Sequence, residues 1–152
     1  MGRVGGFSAA RASNVLLVVT GTEARAQLQS ILQKAQARTL VCAARRDARD
    51  LIPLASAVIC ERDLPDGSWL DVLQEARGLT PAPPVIVTSR LADARLWLEV
   101  LGLGGYDVLA QPFRAEEVVW ALNSALGRSA AEVGSGTTQP SAALIGQTPR
   151  TY

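Results

Sequence analysis

Four polar clusters interrupt the apolar runs of this chain, and they carry the side chains able to do chemistry. Thr20-Gly21-Thr22 follows Val15–Val19, and Glu61-Arg62-Asp63 follows Ala57–Cys60. Thr88-Ser89 follows Val85–Val87, and Gln111-Pro112 follows Asp107–Ala110. A carboxylate such as Glu61 can hold a cation, accept a transferred group or take a proton. Asp63 is a second candidate acceptor, although its setting, Asp63-Leu64-Pro65-Asp66-Gly67, is turn chemistry. Arg62 and Arg90 can line a small anion pocket, or stand as solvated loop arginines.

Composition removes other chemistries. The 152 residues are 48% hydrophobic, enough for one domain with a real core. Fifteen basic residues face 14 acidic ones, a net charge of +1, so no bulk grip on nucleic acid or acidic membrane is expected. Fourteen of the basic residues are Arg, and Lys34 is the only lysine. The absence of histidine excludes His-dependent triads, His-ligated metal and a His phosphoacceptor. Cys42 and Cys60 lie inside apolar runs and read as inert core thiols in a reduced, cytoplasmic setting. No apolar run approaches the ~18–20 residues that span a bilayer, and no secretory signal core is visible. Val19-Thr20-Gly21-Thr22 has one glycine, where a dinucleotide fingerprint needs three.

The elements that must position the four clusters follow from periodicity. Residues 1–13 read as a flexible leader and 128–152 as a flexible tail, leaving a core at 14–127. Strands are expected at Val15–Val19, Thr39–Ala43, Ala57–Cys60, Val85–Val87 and Asp107–Ala110. Helices are expected at Glu23–Ala35, Asp47–Leu54, Trp69–Arg77, Ala92–Leu101 ended by Gly102, and Ala115–Leu126 ended by Gly127. The strands lack polar alternation, as strands buried on both faces do. Five βα units with short connections predict an α/β, doubly wound parallel sheet of five strands covered by five helices. Ligands in such sheets sit beyond the carboxyl ends of the strands, where the four clusters lie.

Three segments, in order and at matching spacing, carry a family likeness over residues 14–127. They are Val58-Ile59-Cys60-Glu61-Arg62-Asp63-Leu64-Pro65-Asp66-Gly67, Val85-Ile86-Val87-Thr88-Ser89, and Gly104-Gly105-Tyr106-Asp107-Val108-Leu109-Ala110-Gln111-Pro112-Phe113. The chain resembles a response-regulator receiver domain of the chemotaxis-regulator type. The resemblance implies the flavodoxin-like strand order 2-1-3-4-5, which separates Cys42 from Cys60 by the first strand. It also implies a bacterial two-component signalling role, in a phosphorelay.

The family's chemistry uses an Asp closing the third strand, an acidic pair after the first strand for Mg²⁺, a Lys after the fifth and a hydroxyl after the fourth. Here the phosphoacceptor position holds Glu61, and the acidic pair falls on Thr20 and Gly21. The lysine position holds Gln111. The switch hydroxyl is kept as Thr88, and the following proline as Pro112. The strand-five aromatic falls on Val108, and a loop glycine before the third helix falls on Trp69. One carboxylate makes a poor site for an ion that dehydrates reluctantly, so Mg²⁺ binding is expected to be weak or absent, with no other cofactor. Gln111 offers no positive charge to phosphoryl oxygens.

The expected function is therefore that of an atypical receiver, a non-enzymatic module that is not phosphorylated and acts through protein–protein interaction. Glu61 would either stand at the sheet edge, solvated or paired with Arg62 or Arg90, or supply a fixed negative charge near Thr88. One alternative is a working receiver phosphorylated at Glu61 or Asp63, and another is a small-ligand or nucleotide-binding sensor. The expected partner is a signalling protein or a second copy of the chain, met through the face of helix four, strand five and helix five. At ~100° per residue, Trp120 stands opposite Val118, Ala121, Leu122 and Ala125. The apolar residues of the fourth helix spread too widely for one sheet-facing stripe. Leu96, Val100, Tyr106 and Trp120 are the interface candidates.

Overall fold

The computed structural model describes residues 13–134. The leader, apart from Ser13, and the tail beyond Gly134 lie outside the described residues. Five parallel strands make the main sheet: β1 (Asn14–Val18), β2 (Arg38–Cys42), β3 (Ala57–Glu61), β6 (Val85–Ser89) and β7 (Asp107–Ala110). Two-residue strands β4 (Asp63–Leu64) and β5 (Gly67–Ser68) form a separate antiparallel hairpin. The helices are α1 (Thr22–Lys34), α2 (Arg45–Leu51), α3 (Trp69–Arg77), α4 (Ala94–Leu103) and α5 (Ala115–Gly134).

The sheet order is β2-β1-β3-β6-β7. Counting only its own strands along the chain, that is 2-1-3-4-5; the hairpin alone shifts the labels. Alternation along β1 assigns the two faces. Leu16 and Val18 join a core with Trp69, Val72, Trp97 and Val100, so α2, α3 and α4 cover that face. Val15 and Leu17 join Leu28, Leu32, Val118 and Leu122, placing α1 and α5 on the other. Leu16 and Leu17 are both fully buried, which explains why the strand sequence shows no polar alternation.

Several boundaries differ from the periodicity. The second helix starts at Arg45 and closes as a 3₁₀ turn, Ile52–Leu54, because Pro53 supplies no N–H for a further α-turn. Helix α4 runs through Gly102 and ends at Gly104, whose φ of 111° is the left-handed conformation that terminates helices. Helix α5 likewise continues through Gly127, where an added Cβ would meet nothing within 4 Å. A glycine permits a helix end; it does not impose one unless the backbone turns there.

Asp63-Leu64-Pro65-Asp66-Gly67 folds as the hairpin and uses Asp66 as a cap for a distant helix. Its carboxylate accepts from the Arg45 N–H at 2.7 Å and the Arg46 N–H at 3.1 Å, the first turn of α2. The same hairpin leads into α3 through a capping box, in which Ser68 accepts from Leu70 N–H and Asp71 accepts from Ser68 N–H. The Arg45 N–H, then that of Arg46, holds the Asp66 carboxyl below its ordinary 3.8. A depressed carboxyl contributes stability above the unfolded-state value and loses it as pH falls through the folded one. Asp66→Ala is therefore expected to lower the melting temperature at neutral pH. The gap from wild type should close on acidification below the ordinary carboxyl value, as read by a thermal-melt series against pH.

Candidate functional site

The carboxyl ends of β1, β3, β6 and β7 converge on one cleft of about 840 Å³. Register explains the meeting. Val18 pairs with Cys60 and Glu61 with Thr88, so Thr20 lies just beyond β1, next to Glu61, which has Thr88 on its other side. Ser89 pairs with Ala110, which brings Gln111 to the same edge.

Glu61 is drawn to the β1 side. Its Oε1 accepts from the Thr20 N–H at 3.0 Å and from the Thr20 hydroxyl at 2.6 Å. The extra methylene of glutamate gives the reach. The approach does not depend on Gly21, since a Cβ there would lie at an ordinary 3.7 Å from Glu61 Oε2. On the far side Gln111 Nε2 donates to Thr88 Oγ1 at 3.3 Å, and Thr88 is fully buried. The cleft is thus divided into a Thr20–Glu61 pair and a Gln111–Thr88 pair. The Gln111–Pro112 peptide bond is cis.

Neither loop arginine neutralises Glu61. Arg62 donates to Asp63 at 3.4 Å, and both side chains are largely exposed. Arg90 makes no ion pair among the described residues. Asp63 stands in β4, two residues beyond the acceptor position.

The donor set does not fit Mg²⁺. Thr20 and Gly21 follow β1 without a carboxylate, so Glu61 is the one carboxylate at the ends of β1 and β3, and one of its oxygens already accepts two hydrogen bonds. Among the described residues no three His, Cys, Asp or Glu side chains group as a metal site.

Three of the four expected interface residues point inward. Leu96 is 5% exposed, Val100 0% and Tyr106 8%, so they belong to the core and not to a docking face. The broad apolar stripe of α4 arises because Trp97 is also buried, its indole N–H donating to Asp107 Oδ1 at 3.3 Å. Trp120 is half-exposed opposite the buried Val118, Ala121, Leu122 and Ala125, as helical geometry requires. Sequence reasoning missed two exposed apolar residues of α4, Leu98 at 62% and Leu103 at 44% exposure, and Leu98 is the more exposed. The signal available for Leu98 was its place between Arg95 and Gly102, one turn either side.

The two cysteines are free and buried. Both are in register with Val18, from opposite sides, so two strand spacings of ~4.8 Å part them, beyond the ~7 Å Cα limit for a disulfide. Burial, then the nearby Asp47, pushes the Cys42 thiol up to about 11; burial, then Glu61, pushes Cys60 up as well. Neither is a thiolate nucleophile at neutral pH.

No family model matches the chain. It is 35% identical over 89 residues to the probable transcriptional regulatory protein TcrX of Mycobacterium tuberculosis, covering 59% of this chain and 36% of that protein. It is 34% identical over 74 residues to the transcriptional regulatory protein KdpE of the same species, covering 49% and 32%. The chain matches about a third of the length of these curated relatives. A putative response regulator from Chloroflexus aurantiacus superposes with a TM-score of 0.72 at 22% identity, over 78% of this chain and 100% of that one. The signal receiver domain of a putative LuxO repressor from Vibrio parahaemolyticus gives 0.73 at 22%, over 83% and 99%. A sensor-kinase receiver domain from Pseudomonas aeruginosa, described with magnesium in its active-site cleft, gives 0.68 at 21%, over 76% and 98%. The described part of the chain therefore has the fold of these receiver domains, and its sequence is similar to that of these regulatory proteins.

Proposed function

We propose that this receiver signals by protein–protein contact and does not run an acyl-phosphate cycle. The observation that carries the reading is the double hydrogen bond from Thr20 to Glu61 Oε1. An acceptor carboxylate must present a free oxygen lone pair to phosphorus, with cations stabilising the transferring oxygens. Glu61 has its Oε1 engaged by Thr20, no lysine lines the cleft to serve the transferring oxygens, and Gln111 spends its amide on Thr88. Glu61 makes no hydrogen bond to Thr88, whose hydroxyl oxygen accepts from the neutral Gln111 amide. The module is a binding domain and not an enzyme. Its docking face is that of α4, β7 and α5, anchored by Trp120 and Leu98, which are exposed aromatic and aliphatic side chains of the kind that serve as interface anchors. No helix among the described residues is long and apolar enough to cross a membrane, and we place the domain in the cytoplasm.

Incubation of the full chain with acetyl phosphate and Mg²⁺ tests this. The expected result is no hydroxylamine-labile adduct on Glu61 or Asp63 by intact mass and peptide mapping, and no shift of the melting temperature with Mg²⁺. A labile adduct on either carboxylate overturns the proposal.

A further inference from the structure

We propose that Thr20 is itself a modification site: its hydroxyl, activated by Glu61, takes up a phosphoryl group from an acyl phosphate and keeps it as a threonine ester. This rests on the reading that Glu61 is not the acceptor. The Thr20 Oγ1 to Glu61 Oε1 separation of 2.6 Å is in the range of an O–H donating to an ionised carboxylate. That is the arrangement of a nucleophile beside its general base. The base is fixed in turn, because the Thr20 N–H holds the same oxygen at 3.0 Å.

Access and charge complete the site. Thr20 is exposed and lines the cleft of about 840 Å³, together with Arg62 and Arg90. Of the two further carboxylates on the cleft, Asp63 is paired with Arg62, and Glu23 sits in the first turn of α1. Arg90 is the cation left for the incoming group. Gly21, the N-cap of α1, gives that helix no side-chain cap, so its first amides stand open beside Thr20. Such amides favour a phosphate.

The step balances without a metal or a redox partner. A lone pair on Thr20 Oγ1 attacks phosphorus, and the Oγ1–P bond forms. The bond from phosphorus to the acyl oxygen breaks, and the carboxylate leaves with the electron pair. The hydroxyl proton passes to Glu61 Oε1 and then to solvent. The product places a dianion against Glu61, so the Thr20–Glu61 pair must open. Modification at Thr20 would thereby release the carboxylate that the unmodified chain holds.

The test uses the full chain with acetyl phosphate, followed by hydroxylamine, which removes acyl phosphates and leaves threonine esters. The expected result is a stable gain of about 80 Da per phosphoryl group, mapped to Thr20. Thr20→Ser retains it and Thr20→Val abolishes it. Glu61→Gln, which keeps an oxygen to accept from Thr20, slows it by about 100-fold or more. The proposal is overturned if no stable adduct forms, if it persists in Thr20→Val, or if Glu61→Gln reacts as fast as wild type. A labile adduct on Glu61 or Asp63 instead overturns the function proposed above, and Thr20 is still judged by the stable fraction.

Discussion

Combining Thr20→Asp, Gly21→Asp, Glu61→Asp and Gln111→Lys in one chain is expected to produce a site that binds Mg²⁺ and forms a hydroxylamine-labile adduct at position 61. The backbone needed for this is already present. β1, β3 and β7 deliver the four positions to one cleft. Gly21 has ordinary negative φ, and the nearest atom to an added Cβ is 3.7 Å away, so aspartate fits there without strain. Aspartate at that N-cap also gives α1 the side-chain acceptor it lacks, worth a few tenths of a kcal/mol over glycine. Three carboxylates in place of one should tighten Mg²⁺ by at least about tenfold, since the ion demands hard oxygen ligands before it gives up water. The lysine supplies the cation that Gln111 cannot. Isothermal titration with Mg²⁺, and intact mass after acetyl phosphate, check the two gains separately. Failure of both would mean that more than these four side chains separates this site from phosphotransfer.

Trp69→Ala is expected to be the most damaging single substitution for stability, at about 3–5 kcal/mol. Against a typical total of about 5–15 kcal/mol, that is a large share of the folding free energy. Trp69 is 2% exposed and lies in the core between α3, α4 and the sheet. Its ring reaches the backbone of Gly105: a Cβ there would stand 3.4 Å from Trp69 Cζ3 and would collide with Val100 Cγ1. The indole thus packs in the core beside Gly105, and its truncation is expected to leave a cavity there. Urea unfolding followed by far-UV circular dichroism should show a lower midpoint with an unchanged slope. Trp120→Ala is the control, since the half-exposed Trp120 should cost within about 0.5 kcal/mol.

The fold was largely legible because its signals are local. Unbroken apolar runs such as Val15–Val19 mark strands buried on both faces, and their alternation with helical periods fixes a parallel sheet. The helix ends were less legible. Gly102, Gly104 and Gly127 are the same letter, and only Gly104 is forced to a φ of 111° by the turn into β7. Burial on α4 was misjudged for a related reason. Leu96, Trp97, Leu98 and Val100 are all apolar, and the choice among them depends on how the helix lies on the sheet.

The site divides in the same way. The order of residues alone states which groups stand at the strand ends: Thr20 and Gly21 after β1, Glu61 closing β3 and Gln111 after β7. It also determined that Cys42 and Cys60 lie in apolar strands. How those groups pair follows from the folded sheet, because pairing depends on register and reach between strands. Strand register set Thr20 within 2.6 Å of Glu61 and Gln111 within 3.3 Å of Thr88. It also brought Asp66 to the first amides of α2, a helix start 21 residues earlier in the chain that no local capping rule can find. Residue identity states which hydrogen bonds are possible; the packing of β1 against β3 selects the ones that form.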